Sequence, residues 1–545
     1  MPSLVPLLAV TGSLIKAGFS FPPTTSTSDP GLDERGLLGG VTGTVDDVVG
    51  GLADGDLIGV VGDALDNLQE LGQDASSVGG LGGVVSQLTS IIPTATPSSQ
   101  EQAMSQVSAV FQASPTPNNI FAAAGRLVAD GLTGDDAESI LDFIEGGLTG
   151  QNSEKNSNPR NPPNSIYPKA QQDDAPYDLS EDELRGVIYI PPNFQYGRDG
   201  APQPLILVPG TGNTGFTTFQ GNLIPLLQGS TVADPVWLNI PDYLLNDVQT
   251  NAEYVAYAIN YISGISNGRD VAVAGWSQGN ICAQWAYKYW PSTIDKVTDH
   301  VAFSPDYHGT VLADFISLGE PLPPSLLQQQ YNSQFIQTLR RDGGDSAYVP
   351  TTTVYSGFFD EVVQPQSGTE ASAFLLDARN VGASNNKVQK VCAGQSAGTF
   401  FTHEGTMYNS LGYYLLIDAL THDGPGDPQR LDLENVCSYY LTPGLDLGDF
   451  VVTENSLVVA ALSIGTYPNP VVDEPRIKSQ SLRSAIFTTN DAKRISDHTL
   501  FRLREAILDP LTHIHTYKPL SHLVFSCIYL VNIRPLGCRK QRISC

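Results

Sequence analysis

Three Gly-x-Ser-x-Gly runs occur in this chain, at residues 264–268, 275–279 and 394–398. Such a run can present a serine as a nucleophile when a strand leads into it and a helix leads out, because the sharp turn between them lifts the hydroxyl clear of a sheet. With 52 glycines in 545 residues the pattern alone decides nothing. Gly264-Ile265-Ser266-Asn267-Gly268 follows a helical stretch, residues 252–262, and reads as the turn that stops it. Gly394-Gln395-Ser396-Ala397-Gly398 runs into the β-prone Thr399-Phe400-Phe401, so no helix completes an elbow there. Gly275-Trp276-Ser277-Gln278-Gly279 has the strand 270–274 before it and helical residues 280–287 after it. Its glycines let strand and helix approach closely. Ser277 is therefore the candidate nucleophile.

A serine hydroxyl attacks well only when a base takes its proton and an acid holds that base in the right tautomer. In a strand-elbow-helix architecture the chain order is serine, acid, histidine. His300 and His308 lie too soon after Ser277, and His422, before Asp423-Gly424, reads as a helix-end residue. His403 follows Thr399-Phe400-Phe401-Thr402 and is expected on a loop just past a strand, where catalytic groups concentrate. It is the candidate base. Asp306 and Asp360 both follow β-prone runs; Asp360 is preferred because Ser356-Gly357 turns the chain toward it and Val362-Val363 suggest partial burial. Spacing leaves Glu361 open as the acid, and Asp306 reads as a carboxylate satisfied near the elbow by local donors. For the oxyanion of an acyl-transfer intermediate, the glycine turn Pro209-Gly210-Thr211-Gly212 offers Thr211, and the elbow offers the backbone N–H of Gln278.

These groups need a scaffold. From residue 179 to 475 short β-branched runs (187–190, 205–208, 271–274, 301–303, 351–355) alternate with longer amphipathic stretches, the pattern of a parallel sheet covered by helices, hence an α/β fold. Upstream, residues 21–150 are Gly-rich and partly helical, with 14 glycines between Gly36 and Gly83, a capping box expected from Ser98 to Glu101 opening a helix, and a second helical stretch at 135–144. No catalytic constellation is visible before residue 150. Residues 151–178 carry Pro159, Pro162, Pro163, Pro168 and Pro176 and read as a semi-rigid linker.

The net charge of −28, from 29 basic and 57 acidic residues, argues against a nucleic acid partner. Residues 476–545 differ: twelve Lys and Arg face four Asp and Glu. The histidines and cysteine at His513, His515, His522 and Cys527 lack regular metal-ligand spacing. No stretch approaches the roughly 20 apolar residues of a membrane span. Residues 1–20 read as a possible signal peptide, which favours secretion.

Taken together, Leu207-Val208-Pro209-Gly210-Thr211-Gly212, Leu245-Asn246-Asp247, Trp276-Ser277-Gln278-Gly279, Ala283-Gln284-Trp285, Phe303-Ser304-Pro305-Asp306-Tyr307, Pro350-Thr351-Thr352 and Asp360-Glu361-Val362-Val363-Gln364-Pro365-Gln366 carry a family pattern. The chain resembles the Candida antarctica lipase B-like fungal lipases and esterases, which are α/β-hydrolases. The resemblance implies a serine carboxylic-ester hydrolase with Ser277, Asp360 and His403 as triad and Thr211 and Gln278 as oxyanion donors. It further implies a lipid or small-molecule ester substrate, no metal, no nucleotide cofactor and secretion. It also implies that Cys392 pairs with Cys437. Val236 stands where the family has a cysteine, Thr402 where it has an aspartate, and residues 312–330 fall where relatives carry a mobile lid or short helix. Val362, Val363 and a helix over 451–464 are candidate acyl-pocket walls. Two other readings share the scaffold: a non-catalytic secreted lipid- or wall-binding protein, and an amide hydrolase with the same nucleophile.

Overall fold

The computed structural model describes residues 64–69, 81–93, 96–112, 117, 119–311, 321–357 and 359–478. The possible signal peptide, most of the Gly-rich stretch, residues 312–320 of the lid region, Phe358 and the basic tail beyond Lys478 lie outside the described residues.

Seven strands form one sheet: β1 (Ile188–Tyr189), β2 (Gln203–Val208), β3 (Ala233–Leu238), β4 (Val271–Trp276), β5 (Val297–Phe303), β6 (Thr351–Tyr355) and β7 (Ala383–Lys387). Their order is β1-β3-β2-β4-β5-β6-β7; β1 runs antiparallel to β3 and every other pairing is parallel. This is the α/β-hydrolase architecture expected from the alternation of runs. The central strands are buried on both faces and divide their side chains with period two. Ile206, Val208, Val271 and Val273 enter one core with helices α5 (Val248–Ile265) and α6 (Gln278–Tyr289). Leu205, Leu207, Ala272 and Ala274 enter the other, with α7 (Ser410–Thr421) and α8 (Leu447–Thr466). The first glycine-serine run ends α5 as expected, with Ser266 as its cap and Asn267 and Gly268 at positive φ.

β7 was not legible. Its Ala-Ser-Asn-Asn-Lys sequence has no β-branched residue, yet it completes the sheet edge, where Asn385 Oδ1 accepts from Thr353 Oγ1 at 3.2 Å. A polar strand is tolerated at an edge because one of its sides stays wet.

The upstream region contributes helices at Leu81–Thr89, Gln100–Gln112, Ile120–Ala129 and Ala137–Glu145, labelled α1 to α4. The expected cap of α2 is shifted by one residue. Gln102 N–H donates to Ser99 Oγ at 3.2 Å, and Gln102 Oε1 accepts from Ser98 N–H at 3.0 Å, so the reciprocal partner is Gln102 and not Glu101. Leu68, Val84, Leu88, Phe121, Val128 and Ile140 form a third core with Val458, Val459, Ala461 and Leu462 of α8. This corrects the expectation that no stretch approaches a membrane span. α8 is long and apolar enough by composition, but most of it is buried, with the sheet-side core on one flank and the upstream helices on the other.

Residues 151–177 form no helix or strand beyond a turn at Gly150–Asn152, yet they are fastened to the body. Trp237 Nε1 donates to Gln151 O at 2.8 Å, Asn158 Nδ2 donates to Ile188 O at 2.8 Å, and Tyr177 stacks on Trp290 at 5.8 Å.

Candidate active site

The turn between β4 and α6 places Ser277 at φ 50°, ψ −127°, a left-handed conformation that a residue with a Cβ adopts only under constraint. The turn is held by one backbone hydrogen bond and by close packing at both flanking glycines. Ser277 N–H donates to Phe303 O at 3.0 Å. A Cβ on Gly275 would meet Asn280 Oδ1 at 2.4 Å, and one on Gly279 would meet Pro209 O at 2.5 Å. Only glycine fits at either flank.

His403 Nδ1 donates to the Asp360 carboxylate, 3.0 Å from each of its oxygens, and both side chains are buried. Asp360 Oδ1 also accepts from Val362 N–H at 3.1 Å and Val363 N–H at 2.7 Å. The carboxylate is thus fixed before it meets the ring. His403 O accepts from Ser304 Oγ at 2.8 Å and Trp276 Nε1 at 3.2 Å, which ties the histidine loop to the elbow. Burial alone would lower the imidazole pKa; the charge of Asp360 and its hydrogen bond to the ring, with smaller contributions from the Glu361 and Asp306 carboxyls when ionised, outweigh it and hold the ring above its ordinary value.

Two site expectations are corrected. No strand precedes His403, since the sheet ends at β7 and residues 399–402 have no neighbour to pair with. Phe401 instead stacks on Tyr440 at 4.4 Å and Phe400 packs on Phe359 at 4.8 Å. The aromatic residues that look β-prone are packing anchors. Cys392 and Cys437 form the disulfide that braces this segment. Asp306 is not satisfied by local donors, as both its oxygens are buried without a hydrogen-bond partner. Burial pushes its pKa up to about 7, with His403 acting in the opposite sense. Glu361 accepts from His403 N–H at 3.0 Å, so it contacts the loop backbone and leaves the ring to Asp360. His422 caps α7, with Nδ1 3.1 Å from Asp418.

At the expected oxyanion site, Gln278 is the first helical residue of α6, so its N–H has no intrahelical acceptor. Its side-chain Nε2 donates to Thr211 Oγ1 at 2.9 Å, and Thr211 Oγ1 donates in turn to Gln329 Oε1 at 2.9 Å. Gln329 is a site residue the sequence reading missed. The loop carrying Thr211 lies directly on α8: Gly212 has φ +73°, and a Cβ there would stand 2.4 Å from Ala460 Cα. Gly212→Ala is expected to cost about 1–3 kcal/mol through this overlap; a Tm within one degree of the parent would contradict it.

A cleft of about 670 Å³ opens to solvent with Ser277, His403, Thr211 and Gln329 in its wall. Its apolar lining comes from Trp276, Leu326, Val362, Leu457, Ala460 and Ile464, joined by Ile120 and Asn119 at the start of α3. Val362 and α8 therefore border the cleft as expected, whereas Val363 is buried behind the acid, where its N–H is used. The contribution of α3 was not foreseen, because nothing in residues 119–129 looks chemical.

A parallel sheet with a serine at a strained strand-to-helix turn, facing a cleft that also contains a carboxylate-held imidazole, defines the serine-hydrolase class of α/β-hydrolases. The chain is 43% identical to Aspergillus fumigatus lipase B, whose crystal structure superposes with a TM-score of 0.69 over 78% of this chain and 99% of that one. It is also 39% identical to lipase B of Pseudozyma antarctica over 224 residues, 40% of this chain and 61% of that protein. The match thus spans about three-fifths of the Pseudozyma protein's length. No protein-family model matches the chain. The chain belongs to the lipase B family, carboxylic-ester hydrolases of the α/β-hydrolase fold.

Proposed function

We propose that this protein hydrolyses carboxylic esters of the lipase or carboxylesterase type through an acyl-enzyme on Ser277. The observation that carries the reading is the state of His403. Its Nδ1 is engaged by both Asp360 oxygens while its buried Nε2 has no hydrogen-bond partner, and the ring shares the cleft wall with Ser277. An imidazole held this way keeps Nε2 available to accept a proton. Ser277 Oγ attacks the acyl carbon as His403 Nε2 takes its proton, and the imidazolium is stabilised by Asp360. Negative charge then develops on the former carbonyl oxygen, where Gln278 N–H and the Thr211 hydroxyl donate; the latter must turn from Gln329 to do so. His403 returns the proton to the departing alkoxide, and water releases the acid by the same route in reverse.

The apolar wall suits an acyl chain better than a polar one, which supports esters with hydrocarbon acyl groups, presented singly or at a lipid-water interface. We further propose residues 179–475 as the catalytic domain and secretion as its destination, on the strength of the buried disulfide and the apolar leader-like residues 1–20. The test is turnover of p-nitrophenyl esters of increasing chain length by the full chain, alongside matched amides. Ester hydrolysis is expected. No turnover at any length overturns the reading, and faster amide cleavage reassigns the substrate.

The half-buried Ile120 gives a second expectation. Ile120→Trp should narrow the cleft and lower kcat/KM for a dodecanoyl ester relative to a butanoyl ester by about 10-fold or more, the scale of one to two methylenes in an apolar pocket. An unchanged chain-length profile would remove α3 from the acyl wall.

A further inference from the structure

Three further carboxyls gather around the backbone that carries His403. Glu361 follows the acid, Glu404 follows the histidine, and Glu454 comes from α8. Glu404 and Glu454 are fully buried, and Glu361 Oε1 is shut off from solvent. Glu361 Oε2 accepts from His403 N–H at 3.0 Å. Glu454 Oε1 accepts from Tyr408 Oη at 2.8 Å and Thr402 Oγ1 at 3.2 Å, and Thr402 Oγ1 itself accepts from Gly405 N–H at 3.0 Å. The histidine loop is therefore held from two sides by carboxyl groups. Glu404 lies between them, within hydrogen-bond reach of both Glu361 and Glu454. Its two oxygens, Glu361 Oε1 and Glu454 Oε2 meet no N–H or hydroxyl donor from another residue.

Carboxylates accept but cannot donate, so three of them in contact away from water cohere only by sharing protons. The titratable groups acting on the cluster are Asp360 and His403 from the Glu361 side and Tyr408 from the Glu454 side, with Tyr440 3.5 Å from Tyr408; no lysine or arginine is among them. We propose that Glu361, Glu404 and Glu454 are positioning residues for His403: a proton-sharing carboxyl chain, centred on Glu404, that locks residues 402–405 while it keeps its protons and releases them when it ionises. The effect on catalysis rests on the esterase reading; the effect on stability does not.

The direction follows from burial, which pushes Glu361 up to about 8 and Glu454 up to about 7, and raises Glu404 as well. Below the ordinary glutamate value both folded and unfolded chains hold these protons. As pH rises from there through 7 to 8, the folded chain retains protons the unfolded chain has lost, so stability falls across that window.

The experiment compares the full chain with Glu404→Gln, measuring Tm from pH 5 to 9 and kcat and KM for p-nitrophenyl butyrate over the same range. A glutamine donates to both neighbours without an ionisable proton, so each neighbour can carry charge against it. Wild type is expected to lose Tm with rising pH and to show a kcat that rises with His403 deprotonation and then declines. Glu404→Gln should flatten the Tm slope and move the kcat decline upward by about one pH unit, roughly tenfold in proton concentration, with KM changed less than the kcat profile. Equal Tm slopes and an unmoved decline would overturn the proposal. If Glu404→Gln does not fold, Glu454→Gln is read against the same two outcomes. A wild type without turnover sinks the esterase reading and leaves the Tm comparison to decide this one.

Discussion

Ser277→Ala should abolish ester turnover, lowering kcat by about a millionfold, the scale seen when a triad nucleophile is removed. The substitution keeps the Cβ and deletes only the hydroxyl, so the backbone constraints at φ 50° act equally on both forms and Tm should barely move. That separation of effects matters. A variant that folds like the parent and retains a few percent of its activity would place the nucleophile elsewhere, and the serines of the other two glycine-serine runs offer no substitute. Ser266 caps the end of α5 and Ser396 opens a single helical turn, and neither is in the cleft wall. Burst titration with a p-nitrophenyl ester gives the same answer independently, since an acyl-enzyme releases one equivalent of chromophore and the alanine form none.

Asp360→Asn should reduce kcat by about four orders of magnitude, and the geometry says why. Oδ1 of Asp360 is claimed by the N–H groups of Val362 and Val363. An asparagine must present an oxygen to those donors and therefore turns its amide N–H toward His403 Nδ1. The ring then takes the tautomer with its proton on Nε2, where it cannot accept from serine. The pH profile changes too. With the Asp360 charge gone, burial regains its share, the imidazole pKa drops, and whatever activity remains should start at a lower pH than in the parent. If Glu361 or Asp306 were the acid instead, Asp360→Asn would cost less than tenfold and the loss would appear in Glu361→Gln or Asp306→Asn. Glu361 bonds to the histidine backbone and Asp306 has no hydrogen-bond partner, so a small effect on the ring is expected from either.

The elbow was legible because it depends on a few adjacent residues, a β-branched run and a glycine on both sides of a serine; Asp360 and His403, named from a turn and a β-prone run, do meet, although no strand precedes His403. Five of the seven strands followed from the same local signals, β6 matching its run, Thr351–Tyr355, whereas β3 and β7 did not. What escaped the sequence is set by neighbours distant in the chain. Thr399 to Thr402 has strand composition and no strand beside it, so Phe400 and Phe401 spend their surface on other rings. β7 has loop composition and an open edge beside it. Gln329 enters the oxyanion region only because its turn packs over Thr211, 118 positions earlier. Glu404 and Glu454 gave no signal, since an isolated glutamate in sequence is by default a solvated one; their burial is evident only once α8 closes over the histidine loop. Ile120 escaped for the same reason, being an ordinary helix residue whose helix happens to begin at the cleft.

That last arrangement separates two properties usually bound together. The groups proposed for the bond chemistry come from residues 211 to 403, while part of the cleft wall comes from a helix more than 80 positions upstream of all of them. On the proposed reading, substitutions in that stretch change which esters are accepted while the residues assigned to the reaction stay as they are.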